Sequence, residues 1–347
     1  MHAEGNCGLH EVRNVTLESG KVLPLVTTAY ATLGVLNEAR SNAVLVLHGY
    51  TTGPGMLFAG SNAAEGSWSG LIGPGRAIDT ERFFVICPNM LGSSYGSTGP
   101  AATNPQTGRA YGMDFPPVTL GDVVDAQLRL TESLGIHRLA AVAGPSLGAM
   151  QAFLWATRYP EHVGRVIAAV GAPYCPPGVV DSQGLLQRLA DEPGWENGRY
   201  ARGALVPWLT RLRLQTLERY GIDAELRSRF PDAKRRRREM ERMASRWAEE
   251  FDPGSLVILA QAAEKFDVRG ALERMRAPLL YVLSSSDAAF PASLVNDLGP
   301  QFDAADIDWR YVELASAKGH LASGADSELW ADALREFMQA ADANWTR

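Results

Sequence analysis

The chain has 347 residues, of which 46% are hydrophobic and 21% charged, with a formal net charge of -6 and a pI near 5.6. This composition supplies a sizeable apolar core and excludes an intrinsically disordered protein. The acidic balance argues against a nucleic-acid partner held through its phosphates. The sequence has no run of about 18 apolar residues, so it predicts no membrane-spanning segment and no membrane partner.

The cysteines and the first residues indicate the compartment. Three cysteines are scattered without a CxxC pair, which argues against a disulfide framework and against a zinc-cysteine site; they are Cys7, Cys87 and Cys175. The first fourteen residues contain no apolar stretch of the kind that a signal peptide needs. We therefore expect a cytoplasmic protein.

The first half of the chain is rich in predicted strands. Val12–Glu18 and Leu25–Gly34 alternate loosely and are typical of edge strands. Four continuous apolar runs follow, each ending at Gly, Pro or a polar turn, which is typical of parallel strands buried on both faces. These runs are Ala43–Leu47, Phe83–Cys87, Leu139–Ala143 and Val166–Val170.

Helical patterns lie between these strands. Leu120–Leu134 carries a broad apolar face and is followed by Gly135 as a stop, and Ala149–Tyr159 is closed by Pro160. Strands separated by helices of this length imply right-handed crossovers. The predicted fold class is therefore α/β, with a mostly parallel, doubly wound sheet.

The pattern changes in the second half. Residues 177–253 contain helix-like segments and no convincing strand, after which alternation resumes. The resumed elements are a helix around Leu256–Lys265, the strands Leu279–Leu283 and Trp309–Leu314, and a helix at Leu329–Ala340. We predict a core formed by residues 1–176 and 254–347, interrupted by a helical insertion (residues 177–253) that forms a lid over the carboxyl ends of the strands.

The strongest local motif is Gly144-Pro145-Ser146-Leu147-Gly148, which directly follows a predicted strand and precedes a predicted helix. This context is that of a nucleophile elbow, although an ordinary glycine-rich turn is the alternative. So tight a turn forces Ser146 out of the sheet, and the glycines avoid collisions with neighbouring backbone. Ser146 is therefore the candidate nucleophile.

A serine hydroxyl needs a base, and the base needs an orienting carboxylate. Of the six histidines, only His320 lies beyond every later strand, and Asp287 stands just after the strand Leu279–Leu283. Taken singly, His320 could be a surface histidine and Asp287 a turn residue. The order Ser, Asp, His, with each residue near a predicted strand end, favours a catalytic triad of Ser146, Asp287 and His320.

An oxyanion hole would complete the chemistry. We expect one donor to be the backbone N–H of Leu147 and the other to be that of Tyr50, with Thr51 as the competing register in the loop after Ala43–Leu47. His48 in the same loop is interpreted as structural rather than as the base. We find no dinucleotide fingerprint, P-loop or metal motif, so we expect neither a metal nor a redox cofactor.

These residues and several longer blocks resemble the homoserine O-acetyltransferases and their relatives in the α/β-hydrolase superfamily. The blocks outside the elbow are Gly73–Thr80, Phe83–Asn89, Gly96–Pro100, Tyr111-Gly112, Phe115-Pro116, Met150-Gln151, Phe251–Pro253 and Asp287–Pro291. The resemblance implies an α/β-hydrolase fold and a ping-pong acyl transfer in which Ser146, Asp287 and His320 form the triad. It also implies a homodimer built through the helical insertion.

The chain departs from this family at positions that concern the substrate. An aspartate that holds the amino group of homoserine follows the histidine in the true transferases, whereas this chain has Leu321. The arginine that the insertion supplies for the substrate carboxylate corresponds here to Arg211 or Arg213, and we assign substrate binding to Arg211 together with Leu321. The second glycine after the elbow is replaced by Ala149. The family also contains esterases without homoserine activity, and these departures make the chain look more like them.

The sequence therefore predicts a serine ester hydrolase that acts on small acyl esters. The alternative is an acetyl-CoA-dependent O-acetyltransferase with homoserine or another small alcohol as acceptor, and a catalytically silent binding protein is the third reading. Acetyl-CoA is expected only under the acetyltransferase alternative, as its co-substrate, and no cofactor is expected otherwise. The basic run Lys234–Arg238 is interpreted as a solvated helix face, with binding of coenzyme A phosphates as the alternative.

Overall fold

A computed structural model describes residues 5–60 and 67–340, and its centre is an eight-stranded sheet. The strands of this sheet are β1 (Asn6–Thr16), β2 (Val22–Leu33), β3 (Ala43–Val46), β4 (Phe84–Pro88), β5 (Ala141–Pro145), β6 (Val166–Ala169), β7 (Leu279–Ser284) and β8 (Trp309–Leu314). Their order in space is β1-β2-β4-β3-β5-β6-β7-β8. β1 and β2 are antiparallel to their neighbours, and all pairings from β4 through β8 are parallel.

The apolar runs of the sequence form the middle of this sheet. Every side chain of β3, β5 and β6 is buried, which explains why their sequences are apolar without alternation. The predicted parallel α/β sheet is confirmed, with strand ends that differ by one or two residues. The first strands are longer than predicted, because β1 begins at Asn6 and most of its side chains are exposed and carry no apolar signal.

Ten α-helices flank the sheet or connect its strands within the described residues. They are α1 (Leu120–Ser133), α2 (Leu147–Arg158), α3 (Ser182–Ala190), α4 (Val206–Arg219), α5 (Ile222–Arg227), α6 (Ala233–Glu250), α7 (Pro253–Glu264), α8 (Leu294–Ala304), α9 (Ala322–Ala325) and α10 (Ala331–Gln339). α1 begins with a capping box, in which Thr119 and Asp122 each bond the backbone N–H of the other. In the part of the chain that the structure describes, no helix is long and apolar enough to cross a membrane.

Helices α3 to α6 lie between β6 and β7 and pack through two apolar clusters. One cluster joins the insertion to α7 and includes Trp208, Trp247 and Leu256. The other contains Leu217, Ile222, Leu226, Met240 and Ala244 of the insertion together with Leu321 of the core. The insertion is therefore packed against the same part of the molecule that carries His320.

The basic helix α6 is amphipathic, as predicted. Met240 and Trp247 are buried, whereas most of its arginines are exposed. Several of these arginines form ion pairs, among them Arg237 with Glu218 and Glu241. The charged face is thus partly neutralised by carboxylates of the chain itself.

Candidate active site

Ser146 occupies a sharp turn between β5 and α2. Its φ is +57° and its ψ is -123°, a conformation that side-chain-bearing residues rarely adopt. A Cβ on Gly144 would lie 2.5 Å from the carbonyl oxygen of Leu47, and one on Gly148 would lie 2.1 Å from the same oxygen. Both glycines are therefore required for β3 to approach the turn, and the motif is an elbow rather than an ordinary glycine-rich turn.

Ala149, which replaces the second glycine of the family pattern, faces a glycine of the neighbouring strand end. A Cβ on Gly171, which follows β6, would lie 2.5 Å from the Cβ of Ala149 and 2.8 Å from the carbonyl oxygen of Ser146. The extra methyl group of Ala149 is thus accommodated because the facing residue has no side chain. The elbow keeps its shape despite the departure from the family pattern.

The structure brings the three predicted catalytic side chains together. Nδ1 of His320 lies 2.7 Å from Oδ2 of Asp287, and Nε2 of His320 lies 2.8 Å from Oγ of Ser146. A carboxylate only accepts hydrogen bonds, so Nδ1 carries the proton and Nε2 is left to accept from the serine hydroxyl. All three residues are buried, which shields this hydrogen-bonded chain from bulk water.

Neighbouring groups fix the orientation of the acid and the imidazole. The second carboxylate oxygen of Asp287 accepts a 2.8 Å hydrogen bond from the N–H of Ala289. Ser286 joins the two loops, because its hydroxyl donates to the carbonyl of Ser316 and accepts from the N–H of Gly319.

Two aromatic rings flank the imidazole. The ring centroid of Tyr220, from the insertion, lies 4.6 Å from that of His320, and Phe290 stacks at 5.8 Å with an interplanar angle of 22°. These contacts restrict rotation of the ring and cover its faces. The core and the insertion thus both contribute to the position of the candidate base.

A cavity of about 300 Å³ opens beside Ser146. Tyr50, Thr51 and Leu147 line it, so both registers considered for the oxyanion hole remain compatible with the site. Leu147 is the first residue of α2, where a backbone N–H has no acceptor within the helix. The positive end of the α2 dipole also faces this region and favours a developing negative charge.

His48 is buried away from this hydrogen-bonded chain. Its Nε2 lies 3.0 Å from Oδ1 of Asn89, and its Nδ1 lies 2.9 Å from the carbonyl oxygen of Gly49. Both ring nitrogens are therefore occupied by neighbouring loop groups. This arrangement agrees with the structural interpretation of His48.

The structure places the two predicted substrate residues, Arg211 and Leu321, outside the lining of the cavity. Arg211 does not line the cavity; its side chain is exposed and bonds Glu192 at 2.6 Å. Arg213, the alternative, lines the cavity and is 2% exposed; its guanidinium donates to the Thr51 hydroxyl at 2.8 Å. The same guanidinium lies 4.7 Å from the centre of the Trp247 ring.

Leu321 also lies outside the cavity lining. It is buried in the apolar cluster that α4, α5 and α6 form beside the histidine loop. Tyr220 and Trp247, by contrast, line the cavity. Tyr220 could not be singled out from the sequence, because it is a single aromatic residue at a helix end.

Burial keeps two weakly acidic groups of the cavity protonated. It raises the pKa of the Tyr50 phenol well above its ordinary value, and the nearby Tyr220 and Glu264 act in the same direction. Burial together with Glu264 also raises the pKa of the Cys175 thiol to about 11. Within residues 5–60 and 67–340, no three His, Cys, Asp or Glu side chains are grouped so that they could hold a metal ion.

Comparisons with known proteins identify the family of the chain. Residues 42–308 match the family model of the alpha/beta hydrolase fold. A homoserine O-acetyltransferase of Geobacter sulfurreducens is 33% identical over 95% of this chain and 98% of its own length. A homoserine O-succinyltransferase of Alkalilimnicola ehrlichii is also 33% identical, over 95% of this chain and 94% of that protein.

Solved structures of an esterase and of a homoserine O-acetyltransferase superimpose on most of the chain. An esterase matches with a TM-score of 0.86 and 26% identity, covering 97% of this chain and all of that one (100%). The homoserine O-acetyltransferase of Bacillus anthracis matches with a TM-score of 0.83 and 27% identity, covering 97% and 98% of the two chains. The chain therefore belongs to the homoserine O-acetyltransferase-like family of the α/β-hydrolase superfamily and is an enzyme of the acyltransferase and hydrolase class.

Proposed function

We propose that the protein is a serine ester hydrolase that acts on small acyl esters. His320 takes the proton of the Ser146 hydroxyl as its oxygen attacks the ester carbonyl, and Asp287 stabilises the resulting imidazolium. The backbone N–H groups of Tyr50 and Leu147 hold the tetrahedral oxyanion. The alcohol leaves with the proton from His320, and an acyl group remains on Ser146.

A water molecule completes the reaction in this proposal. His320 removes a proton from the water as its oxygen attacks the acyl carbonyl, and the proton then returns to the oxygen of Ser146 as the carboxylic acid departs. The continuous hydrogen-bonded chain from Asp287 through His320 to Ser146 supports both half-reactions. The nearby cavity of about 300 Å³ suits a small acyl or alcohol group.

The charge of the cavity wall favours water over an amino acid as acceptor. Among the described residues that line the cavity, Asp181 has the only carboxylate, and it accepts a 2.8 Å hydrogen bond from the N–H of Gly184 as the cap of α3. Leu321, at the position of the family's aspartate, lies in an apolar cluster. Desolvating an ammonium group without a partner is unfavourable by several kcal/mol. Asp181 is exposed and holds the end of α3, so no buried carboxylate lines the cavity among the described residues, and this observation carries the choice of hydrolysis.

The second candidate is an acetyl-CoA-dependent O-acetyltransferase that uses the same acyl-enzyme. It is supported by the names of the relatives, which include acetyl- and succinyltransferases of homoserine. Acetyl-CoA would then be a co-substrate, and Arg213 rather than Arg211 would face an acceptor carboxylate. Under either reading we propose that residues 177–253 act as a lid, that no other cofactor takes part, and that the protein works in the cytoplasm as a homodimer.

Two assays distinguish these candidates. Purified protein is given p-nitrophenyl acetate, and separately acetyl-CoA with and without homoserine while free thiol is followed. We expect ester turnover that Ser146→Ala abolishes and the exposed-surface control Ser228→Ala does not, without homoserine-stimulated thiol release. Strong homoserine-dependent thiol release would select the transferase, and activity in neither assay would refute both enzymatic candidates.

A further inference from the structure

The charged side chains around the cavity are mostly positive. Four charged residues line it: Asp181, Arg188, Arg213 and Arg219. Asp181 is engaged as the cap of α3, and Arg213 is buried against Thr51 and Trp247. Asp181 keeps its negative charge as a cap, so the lining carries three positive charges and one negative charge, and Arg188 and Arg219 are the two exposed positive groups.

Arg188 lies on α3, and Arg219 is the last residue of α4, so the two come from different walls of the cavity. Both are exposed while lining the cavity, which places them at its opening to solvent. Within residues 5–60 and 67–340, neither guanidinium has a hydrogen-bond or ion-pair partner. Other arginines of the insertion are paired, for example Arg211 with Glu192 and Arg237 with Glu218.

The other carboxylates near the cavity do not pair with Arg188 or Arg219. Glu264, which acts on the pKa of Tyr50 and of Cys175, accepts hydrogen bonds from the N–H and the hydroxyl of Ser182. Glu192 bonds Arg211, and Glu218, which precedes Arg219 in the chain, bonds Arg237. Asp191 is the exposed residue after α3 and lines a neighbouring depression with Arg188 rather than the cavity beside Ser146. The opening is thus positive on a protein whose formal net charge is -6.

A positive opening in a protein of opposite net charge selects its ligands by charge. Field lines concentrate in a cleft with low-dielectric walls, so an anion is attracted to the opening and a cation is repelled. Two guanidinium groups from different walls can each donate to one carboxylate, and such charge-assisted hydrogen bonds are stronger than neutral ones.

We propose that the substrate is an ester that carries a carboxylate a few bonds from its scissile carbonyl, and that Arg188 and Arg219 bind this carboxylate at the opening of the cavity. The ester chemistry itself rests on the proposed function. The buried Arg213 is not part of this site, because its guanidinium is already held by Thr51 and Trp247. The carboxylate can belong to the acyl part or to the alcohol part of the ester.

Matched ester pairs test the proposal and locate the carboxylate. Monomethyl succinate is compared with methyl butyrate for an acyl-side anion, and acetoxyacetate with propyl acetate for an alcohol-side anion, with acid release followed in a pH-stat. We expect the anionic member of one pair to have the higher kcat/KM. The double variant Arg188→Gln/Arg219→Gln should reduce this anionic-to-neutral ratio roughly tenfold, since each exposed charge pair contributes a factor of about two to five.

The control is Arg238→Gln, which removes an exposed arginine of α6 that does not line the cavity and should leave the ratio unchanged. The anionic-to-neutral ratio of kcat/KM should also fall as salt rises from about 0.05 to 0.5 M, because salt screens the exposed guanidinium charges. Equal kcat/KM values within both pairs, or a preference that the double variant retains, would overturn the inference while leaving ester hydrolysis intact.

A binding measurement separates this inference from the proposed function. Ser146→Ala, which removes the candidate nucleophile, is titrated with monomethyl succinate and acetoxyacetate by saturation-transfer NMR, with and without the two arginine substitutions. Binding that depends on the arginines supports the site even if no ester is hydrolysed. Binding that the arginine substitutions do not change would overturn it even if neutral esters are hydrolysed.

Discussion

Replacement of Asp287 by asparagine tests how much the candidate base depends on its carboxylate. The Asp287 and His320 side chains are 1% and 2% exposed, and their bonded atoms are 2.7 Å apart. Asparagine keeps the shape but removes the negative charge that faces the imidazolium formed during the attack. Losing one partner of a buried ion pair is unfavourable by about 3–5 kcal/mol, which corresponds to a decrease in kcat/KM of roughly 10²- to 10⁴-fold.

The assay is p-nitrophenyl acetate hydrolysis at several pH values, with urea denaturation to verify that Asp287→Asn is folded. Asp297→Asn is the matched control, because Asp297 is an exposed carboxylate on α8. The control should retain wild-type kcat/KM. A folded Asp287→Asn variant whose activity stays within fivefold of wild type would refute the assignment of the acid and the reasoning about its charge.

Three further predictions concern packing, thiol ionisation and the loop of the base. Gly148→Ala places a Cβ 2.1 Å from a backbone oxygen and should lower the free energy of unfolding by about 3 kcal/mol, whereas Gly270→Ala, which has open space, should change it little in urea titrations. Since burial raises the pKa of Cys175 to about 11, its thiolate is scarce at pH 8. Peptide mass spectrometry should therefore find slow iodoacetamide labelling of Cys175 that accelerates towards pH 11. Rapid labelling at pH 8 would contradict this. Lys318→Met removes the ion pairs with Glu225 and Asp326 that hold the loop before His320, and it should lower kcat about three- to tenfold because each such pair contributes up to about 1 kcal/mol. Lys318→Arg should retain most of the activity, and steady-state kinetics in which both variants match wild type would dismiss this role.

The interior of the fold could be predicted from the sequence because burial on both faces constrains residue type. The fully buried strands β3, β5 and β6 are apolar throughout, and their prediction was accurate to within two residues. The beginning of β1 could not be predicted, because its side chains are largely exposed and exposure to solvent does not restrict the residue type. α8 was also missed, since it contains Pro300, a residue that normally indicates a helix end.

The residues of the candidate site also differ in whether the sequence could predict them. Ser146, Asp287 and His320 could be chosen because each stands near the end of a predicted strand, and parallel strands end at one edge of the sheet. The sequence offered no physical basis for the choice of Arg211 over Arg213. Two residues apart on a helix means about 200° around its axis, so the two side chains leave opposite faces of α4. Only the packing of the insertion on the core decides which face meets the cavity.

The contacts between the insertion and the loop of His320 have a consequence for any attempt to separate the two. The Tyr220 ring packs on the imidazole, Gly221 touches the Lys318 backbone so closely that a Cβ would lie 3.1 Å from its carbonyl oxygen, and Leu321 is enclosed by insertion side chains. Excising residues 177–253 would remove Tyr220 from the imidazole and expose Leu321, which side chains of the insertion now cover. Substitutions in the insertion that change substrate selectivity must therefore also preserve the position of the His320 ring. The same segment thus constrains both the selectivity and the catalytic activity of this enzyme.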